Sequence, residues 1–400
     1  MNIPDPTRDE AAFKAWRRDA FPFFQSKIFL THASVSPLPS GVAQAVSDYS
    51  FRIMRQGQFD PAQQPQYQRC KERVAKLIGH GAKADEVAFT GSTSHALGIV
   101  ATGIDWRAGD NCVVADGDFP ANVVTWKALQ RRHEIDVRMI PFRPQMDFSL
   151  DDLKPLVDDR TRIVSLCSAN FLSGYPIDLK AIGAWLHERN VLFCVDAIQT
   201  LGAIRLDASD VDFVCADAHK WLLGPNGIAI LWARRAALEQ LNPAIFGWLA
   251  PQKRENWFAY DTTPIDNAER FEPGARNYLG IIALEAALAL HEQAGGPWVE
   301  DRVSHLRDYA ARRLEEIGCS LLWKPESHQK AGIVSFQAPD GDTEKLYDHL
   351  SADYELSLRD DKKGQKWIRV SPHWMNLESD LDALAQSIRC ALNTELLKIK

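Results

Sequence analysis

No Cys-x-x-Cys pair occurs in this 400-residue chain, and its seven cysteines are an odd number scattered through mostly apolar runs. That spacing argues against a zinc ribbon or a disulfide framework, and it predicts a reduced, cytoplasmic protein with no structural metal. No segment reaches the roughly 18 consecutive apolar residues that a membrane span needs. The opening MNIPDPTRDEAAFKAW lacks the basic start and unbroken apolar stretch of a secretory signal. Positive charge is not in excess either: 46 Lys and Arg face 53 Asp and Glu, a net charge of -7, so nucleic acid is not an expected partner. No G-x-G-x-x-G follows the early strands, which removes a nicotinamide dehydrogenase on a similar sheet. Internal repeats and low-complexity tracts are also absent.

What is present is an alternation of short apolar runs with amphipathic stretches. EVAFTG, NCVVAD, VRMIPF, RIVSLCS, VLFCVDA, DFVCADA and IAILWA read as strands, and segments such as ANVVTWKALQRRH and DLKAIGAWLHERN carry apolar positions spaced by three and four. The pattern predicts an α/β fold with a seven-stranded, mostly parallel sheet covered by helices on both faces. Only HKWLLGPNG separates the last two runs, too short for a parallel crossover, so one of them should run antiparallel. A Pro- and aromatic-rich region follows, then a long apolar helix, YLGIIALEAALALHEQ. From about residue 297 a helix, the strands GIVSFQA, ELSLR and WIRVSP and a final helix from ESDLDALAQSI fit a small α+β unit. The basic clusters RRH and DDKKGQK read as solvated helix and loop charges.

In open α/β sheets ligands bind at the carboxyl ends of the strands. Gly91, Ser92 and Thr93 stand where a strand becomes a helix, which suits either an anion site or a plain helix cap. Phe119 and Asn170 stand at two further strand ends, the first able to stack on a flat ligand or to serve as core, the second explicable as turn chemistry. Asp196 follows a run of apolar residues, and a carboxylate at that depth needs a cation, either an arginine or the protonated nitrogen of a pyridine. Gln199 adds a donor nearby. Lys220 lies between apolar runs, where water is scarce and an amine loses basicity until it can attack an aldehyde, and His219 beside it can reach a phosphate. The ligand that uses all of these groups is pyridoxal 5'-phosphate.

The segments VDAIQTLGAIRLDASDVDFVCADAHKWLLGPNGIAILW, THASVSPLP, DFPANVVTW, RFEPGARN and WIRVSPHWMN carry a closer likeness. The chain resembles the class V aminotransferase family of fold-type I pyridoxal-phosphate enzymes, nearest its isopenicillin N epimerase-like and cysteine desulfurase-like branch. The resemblance implies an N-terminal segment over 1–40 joining the small domain and the active site, a large cofactor domain over 41–294 and a small C-terminal domain over 295–400. It implies that Lys220 is the Schiff-base lysine, that Asp196 holds the pyridinium proton, and that Gln199 touches the ring hydroxyl. Phe119 would then stack on the ring, Asn170 lie at its edge, and Ser92, Thr93, Asp217 and His219 surround the phosphate. Arg369 would grip the substrate carboxylate, with His32 and Ser34 lining the substrate side. A homodimer and an amino-acid substrate come with the family, and the expected reaction is transamination or β-elimination. Epimerisation and cysteine desulfurase-like chemistry are the alternatives, and a catalytically silent scaffold is the rival of another class. Two departures stand out. The loop LSLRDDKKGQKWIRV has no cysteine where desulfurases carry their nucleophile, and Ala275 replaces a threonine that reaches the neighbouring subunit's phosphate site, a contact that Arg276 or Asn277 would have to supply.

Overall fold

The computed structural model describes residues 3–323, 331–339 and 342–393. All seven apolar runs form one sheet: β1 (Val87–Thr90), β2 (Asn111–Ala115), β3 (Asp136–Ile140), β4 (Thr161–Cys167), β5 (Leu192–Asp196), β6 (Phe213–Asp217) and β7 (Ala229–Ala233). Their order across the sheet is β1-β7-β6-β5-β4-β2-β3. Strands β2, β5, β6 and β7 are buried along their whole length, which is why they read as unbroken apolar runs, whereas edge strand β3 is partly exposed. β7 runs antiparallel to both β6 and β1, and the other pairings are parallel. β1 is therefore parallel to β6, so the carboxyl ends of β1, β2, β4, β5 and β6 share one edge. The chain moves outward from β2 to β3 and then returns to β4 on the other side, so the crevice of the sheet opens between β2 and β4.

Helices cover both faces. On one side α3 (Gln63–Ile78), α6 (Leu179–His187) and α7 (Tyr278–Ala294) bury Val74, Ile78, Ile182, Leu186, Ile281 and Leu284 against β2, β4, β5 and β6. On the other, α4 (Thr93–Gly103) and α5 (Pro120–His133) bury Leu97, Val100, Trp126 and Leu129. The approach of α6 is close, because a Cβ on Gly183 would come within 2.1 Å of the Asp210 carbonyl oxygen. The sequence pattern gave no element for residues 40–80. There α2 (Ser40–Gln56) and α3 carry few apolar positions, since they lie against α7 and present polar side chains outward.

A second, four-stranded antiparallel sheet has the order β10-β11-β9-β8, with β8 (Ser320–Leu321), β9 (Val334–Gln337), β10 (Ser357–Asp360) and β11 (Lys366–Val370). Helices α8 (Gly296–Glu316), α9 (Thr343–Leu350) and α10 (Glu378–Asn393) close its own core around Leu306, Leu346, Phe336, Ile368 and Leu384. The N-terminal segment ties this unit to the large sheet. Ile28–Phe29 pairs in parallel with Tyr354–Glu355, and Thr31 bridges Ser371. Helix α1 (Glu10–Ala20) sets Phe13 and Trp16 in one apolar cluster with Trp221, Val303 and Trp374, and Arg17 donates to both oxygens of buried Asp380. Among the described residues no helix is long and apolar enough to cross a membrane.

Candidate active site

Lys220 sits three residues beyond β6 and is only 8% exposed. Its turn is held from several directions. Ser36 donates its backbone N–H to the His219 carbonyl at 2.8 Å and its hydroxyl to the Lys220 carbonyl at 2.7 Å, and Leu223 closes the turn at a φ of 59°, uncommon for a bulky residue. Gly202 lets the backbone pass the Trp221 carbonyl, where a Cβ would come within 2.7 Å. The Lys220 ammonium lies 5.6 Å from the centroid of the Phe119 ring, and among the described residues no carboxylate stands within ion-pair distance of it. Burial, then the neighbouring Arg369, lowers its pKa to about 8, partly opposed by Asp196.

Asp196 ends β5, is 1% exposed and accepts a 3.0 Å hydrogen bond from the Ile198 N–H. Burial raises its pKa to about 7, with the nearby Asp118 charge adding to the rise and Lys220 partly opposing it, and among the described residues no cation stands within ion-pair distance of it. A second carboxylate, Asp118, absent from the residues the sequence pattern points to, stands just past β2. It accepts from the N–H groups of Phe119 at 2.7 Å and Cys167 at 3.2 Å and from the Asn122 amide at 3.0 Å, and burial raises its pKa too. Its signal lay in the sequence: Asp118 precedes a strand-end aromatic and lies four residues before Asn122, one helical turn away.

The start of α4 forms another corner. The Ser92 hydroxyl caps the helix by accepting from His95 N–H at 3.1 Å, while Thr93 donates from both its N–H and its hydroxyl to Asp217 at 2.9 and 3.4 Å. His219 Nδ1 lies 3.1 Å from the other Asp217 oxygen. Asp217 thus gathers Thr93 and His219 at the ends of β1 and β6. Asn170, beyond β4, accepts from Leu172 and Ser173 N–H groups at 2.9 and 3.0 Å and reaches the Gly117 carbonyl at 3.4 Å, fixing the rim beside Phe119.

The small sheet faces this crevice with two arginines. Arg369 on β11 is 1% exposed and donates to the Phe171 carbonyl at 2.6 Å and to the Ser34 hydroxyl. Arg359 on β10 donates to the same hydroxyl at 3.0 Å. Burial, then the Arg359 charge, lowers the Arg369 pKa to about 9. His32 is placed differently from Ser34. It is fully buried against Phe29, Trp221 and His373, and its Nδ1 meets the Ser36 hydroxyl at 2.8 Å, behind the lysine turn and away from open space. Gln199, 1% exposed, donates to the Ala33 carbonyl at 3.2 Å and accepts from the Trp221 indole at 3.3 Å.

The DDKKGQK loop is not merely solvated charge. Asp361 is buried, accepts from the Lys363 and Gln365 N–H groups at 2.8 and 2.9 Å and from the Trp367 indole at 3.3 Å, and Lys362 pairs with Asp116 across the crevice mouth.

The family description Aminotransferase class-V matches residues 28–394. This chain belongs to the class V aminotransferase family. It is 31% identical over 376 residues to an uncharacterised aminotransferase of Bacillus subtilis, spanning 91% of this chain and 94% of that one. It is 25% identical over 380 residues to a probable cysteine desulfurase of Halalkalibacterium halodurans, at 90% and 92% coverage. A cysteine desulfurase structure from Thermococcus onnurineus superposes with a TM-score of 0.84 at 21% identity, over 98% of this chain and 99% of that one, which establishes the shared fold. The class V member described here is a pyridoxal-phosphate-dependent enzyme of fold type I that acts on an amino acid. Its own residues fit the cofactor: a deep carboxylate with no ion-pair partner among the described residues, a desolvated lysine and a helix start lie on one sheet edge. Among the described residues no cluster of His, Cys, Asp or Glu could hold a metal ion.

Proposed function

We propose that this enzyme carries out transamination or β-elimination on an amino acid, with Lys220 as covalent anchor and as the base at the substrate Cα. The observation that carries the reading is Lys220 itself, an amine buried at the sheet edge whose pKa falls to about 8, so that a neutral fraction is present near neutral pH. Pyridoxal phosphate, when bound, supplies an electron sink for charge developing at that carbon. Asp196 would hold the proton at the ring nitrogen, its raised pKa showing how much a buried carboxylate at that point needs a cationic partner. Phe119 would cover the ring and Asn170 its edge. Ser92, Thr93 and His219 would receive the phosphate, with Asp217 ordering the last two. Gln199 would face the ring hydroxyl with the amide hydrogen that Ala33 leaves free. Arg369, paired with Ser34, would take the substrate carboxylate in a planar fork that lysine cannot reproduce.

A persulfide route lacks its nucleophile. The 361–365 turn has no cysteine, Cys167 is buried beside two carboxylates with its thiol pKa pushed well up, and Cys390 on α10 is the one exposed cysteine among the described residues. Domain limits of 1–40, 41–294 and 295–400 accord with the separate cores of the two sheets and the tie made by the first segment. A homodimer is supported by a groove of about 1480 Å³ lined by Tyr49, Phe59, Trp248, Trp257 and Tyr260. Ala275 lines it as well, while the side chains of Arg276 and Asn277 are engaged with Glu272 and Glu269 and with Gly227 and Gly280 of the same chain. The cytoplasm is the compartment that suits seven free thiols.

The test is reduction of the cofactor-loaded protein with borohydride, followed by peptide mapping and by assay of 2-oxo acid and ammonia from candidate amino acids. A pyridoxyl group fixed on Lys220, with 2-oxo acid formed, is the expected result. A protein that takes up no pyridoxal phosphate would sink the enzyme reading and promote the scaffold.

A further inference from the structure

The two arginines of the small sheet carry more positive charge than one α-carboxylate can balance. In the β10–β11 pairing Ser357 lies opposite Arg369, and Arg359 lies two residues along the same strand, so all three side chains share one face. Both guanidinium groups converge on one neutral acceptor, the Ser34 hydroxyl, which also meets the Ser357 hydroxyl at 2.6 Å and accepts from Thr31 at 3.1 Å, and each donates besides to a backbone carbonyl, Arg369 to Phe171 at 2.6 Å and Arg359 to Leu358 at 3.0 Å. Among the described residues no Asp or Glu forms an ion pair with half-buried Arg359 or buried Arg369, although the other four buried arginines, Arg17, Arg270, Arg302 and Arg307, each have one. Arg369 is 1% exposed, and its Nε has no hydrogen-bond partner. Two like charges held this close, one of them fully buried, are costly unless an anion joins them. A neutral amino acid brings one carboxylate to this site, which leaves one guanidinium uncompensated.

We propose that Arg359 completes a second anion subsite beside Arg369 and Ser34, and that the substrate is an amino acid whose side chain itself ends in a carboxylate or comparable anion. This rests on the reading of Arg369 as the α-carboxylate group and names the substrate class of that same site. Arg369 meets one acid group, Arg359 meets the other, and the shared hydroxyl of Ser34 keeps the two forks apart.

Calorimetry on the cofactor-loaded protein with succinate and with propionate separates one anion from two without turnover. A charge-assisted hydrogen bond is worth about a tenfold to hundredfold gain in affinity, so succinate should bind tighter than propionate by about that factor. Arg359→Met should remove the preference and leave propionate unchanged, Arg359→Lys should keep part of it, and Arg369→Met should weaken both ligands. The ratio of kcat/KM for aspartate or glutamate over alanine should fall with the same variants. Equal binding of succinate and propionate by the wild type, or an equal loss of both in Arg359→Met, would overturn the subsite and leave Arg359 as a support for Arg369. Borohydride labelling on the same preparation keeps the two readings apart. Labelled Lys220 without a dianion preference fails the subsite alone, whereas unlabelled Lys220 fails the reaction assigned above.

Discussion

Replacing Lys220 by Met should make the cofactor-free protein more stable while destroying the enzyme. The side chain is 8% exposed, and burial lowers its pKa from 10.5 to about 8, so keeping it charged at pH 7 costs the fold about 3 kcal/mol at 1.36 kcal/mol per unit. Met fills a similar volume without a charge, at a repacking cost of up to about 1.5 kcal/mol, so a net gain of roughly 2 kcal/mol is expected. The sign of the pH dependence follows from linkage. The unfolded lysine holds its proton up to about pH 10.4 and the folded one only to about pH 8, so between those values the unfolded state binds more protons and wild-type stability rises with pH. By pH 9.5 the cost has dropped to about 1.4 kcal/mol, and the gap between variants should shrink accordingly. Urea midpoints of the two apoproteins at pH 7 and 9.5 measure it. A Lys220→Met protein that is less stable at pH 7, or a gap indifferent to pH, would show that the amine is not desolvated and would remove the physical basis for its reactivity.

Three other outcomes are expected. Asp196→Asn should lower pyridoxal phosphate affinity by about 100-fold in a fluorescence titration, since a neutral amide cannot hold a protonated ring nitrogen. It should also abolish a loss of apoprotein stability between pH 4 and 7, where the folded Asp196, with its pKa near 7, binds a proton that the unfolded carboxyl has released. Lys362→Ala removes a half-exposed ion pair with Asp116 and should change global stability by less than about 1 kcal/mol, yet amide hydrogen exchange over residues 361–365 should quicken, because the crevice mouth loses its cross-link. Iodoacetamide on the native protein should label Cys390 and spare Cys70, Cys112, Cys167, Cys194, Cys215 and Cys319, as peptide mapping would show.

Most of the strands were legible because a strand buried on both faces is apolar along its whole length, and an antiparallel strand among the last two was legible because the turn between them is too short to cross the sheet. The strand ends were legible for the same reason, since a polar residue such as Asp196 breaks the apolar run at a fixed edge. Helices α2 and α3 were not, because α2 buries little beyond Val42 and Tyr49 and α3 leaves most of its positions polar. Arg359 carries no such signal in the sequence, because charges beside a loop usually face water. What gives it meaning is the cross-strand register with Ser357 and Arg369, which only the folded sheet supplies. The family likeness of its segment implies a substrate-side His32, whereas the fold turns Ser34 toward the arginines and His32 into the packed layer.

That division within one short segment explains how the lysine and the two arginines are kept in register. Residues 31–36 touch both partners at once: Ser34 receives the arginines of the small sheet, and two residues later Ser36 fastens both carbonyls of the His219–Lys220 turn. His32 supports Ser36, and the Ala33 carbonyl accepts from Gln199, itself bonded to Trp221 beside the lysine. The same strip is anchored to the small sheet, where Ala33 N–H donates to the Ser371 hydroxyl at 3.0 Å and His32 N–H to the Ser371 carbonyl at 3.2 Å. The small sheet and the lysine turn are therefore joined through the backbone of residues 32–36. With the roles proposed for Arg369 and Lys220, the carboxylate end and the base are linked through backbone, so that Ser371→Ala or Ser36→Ala should alter both KM and kcat.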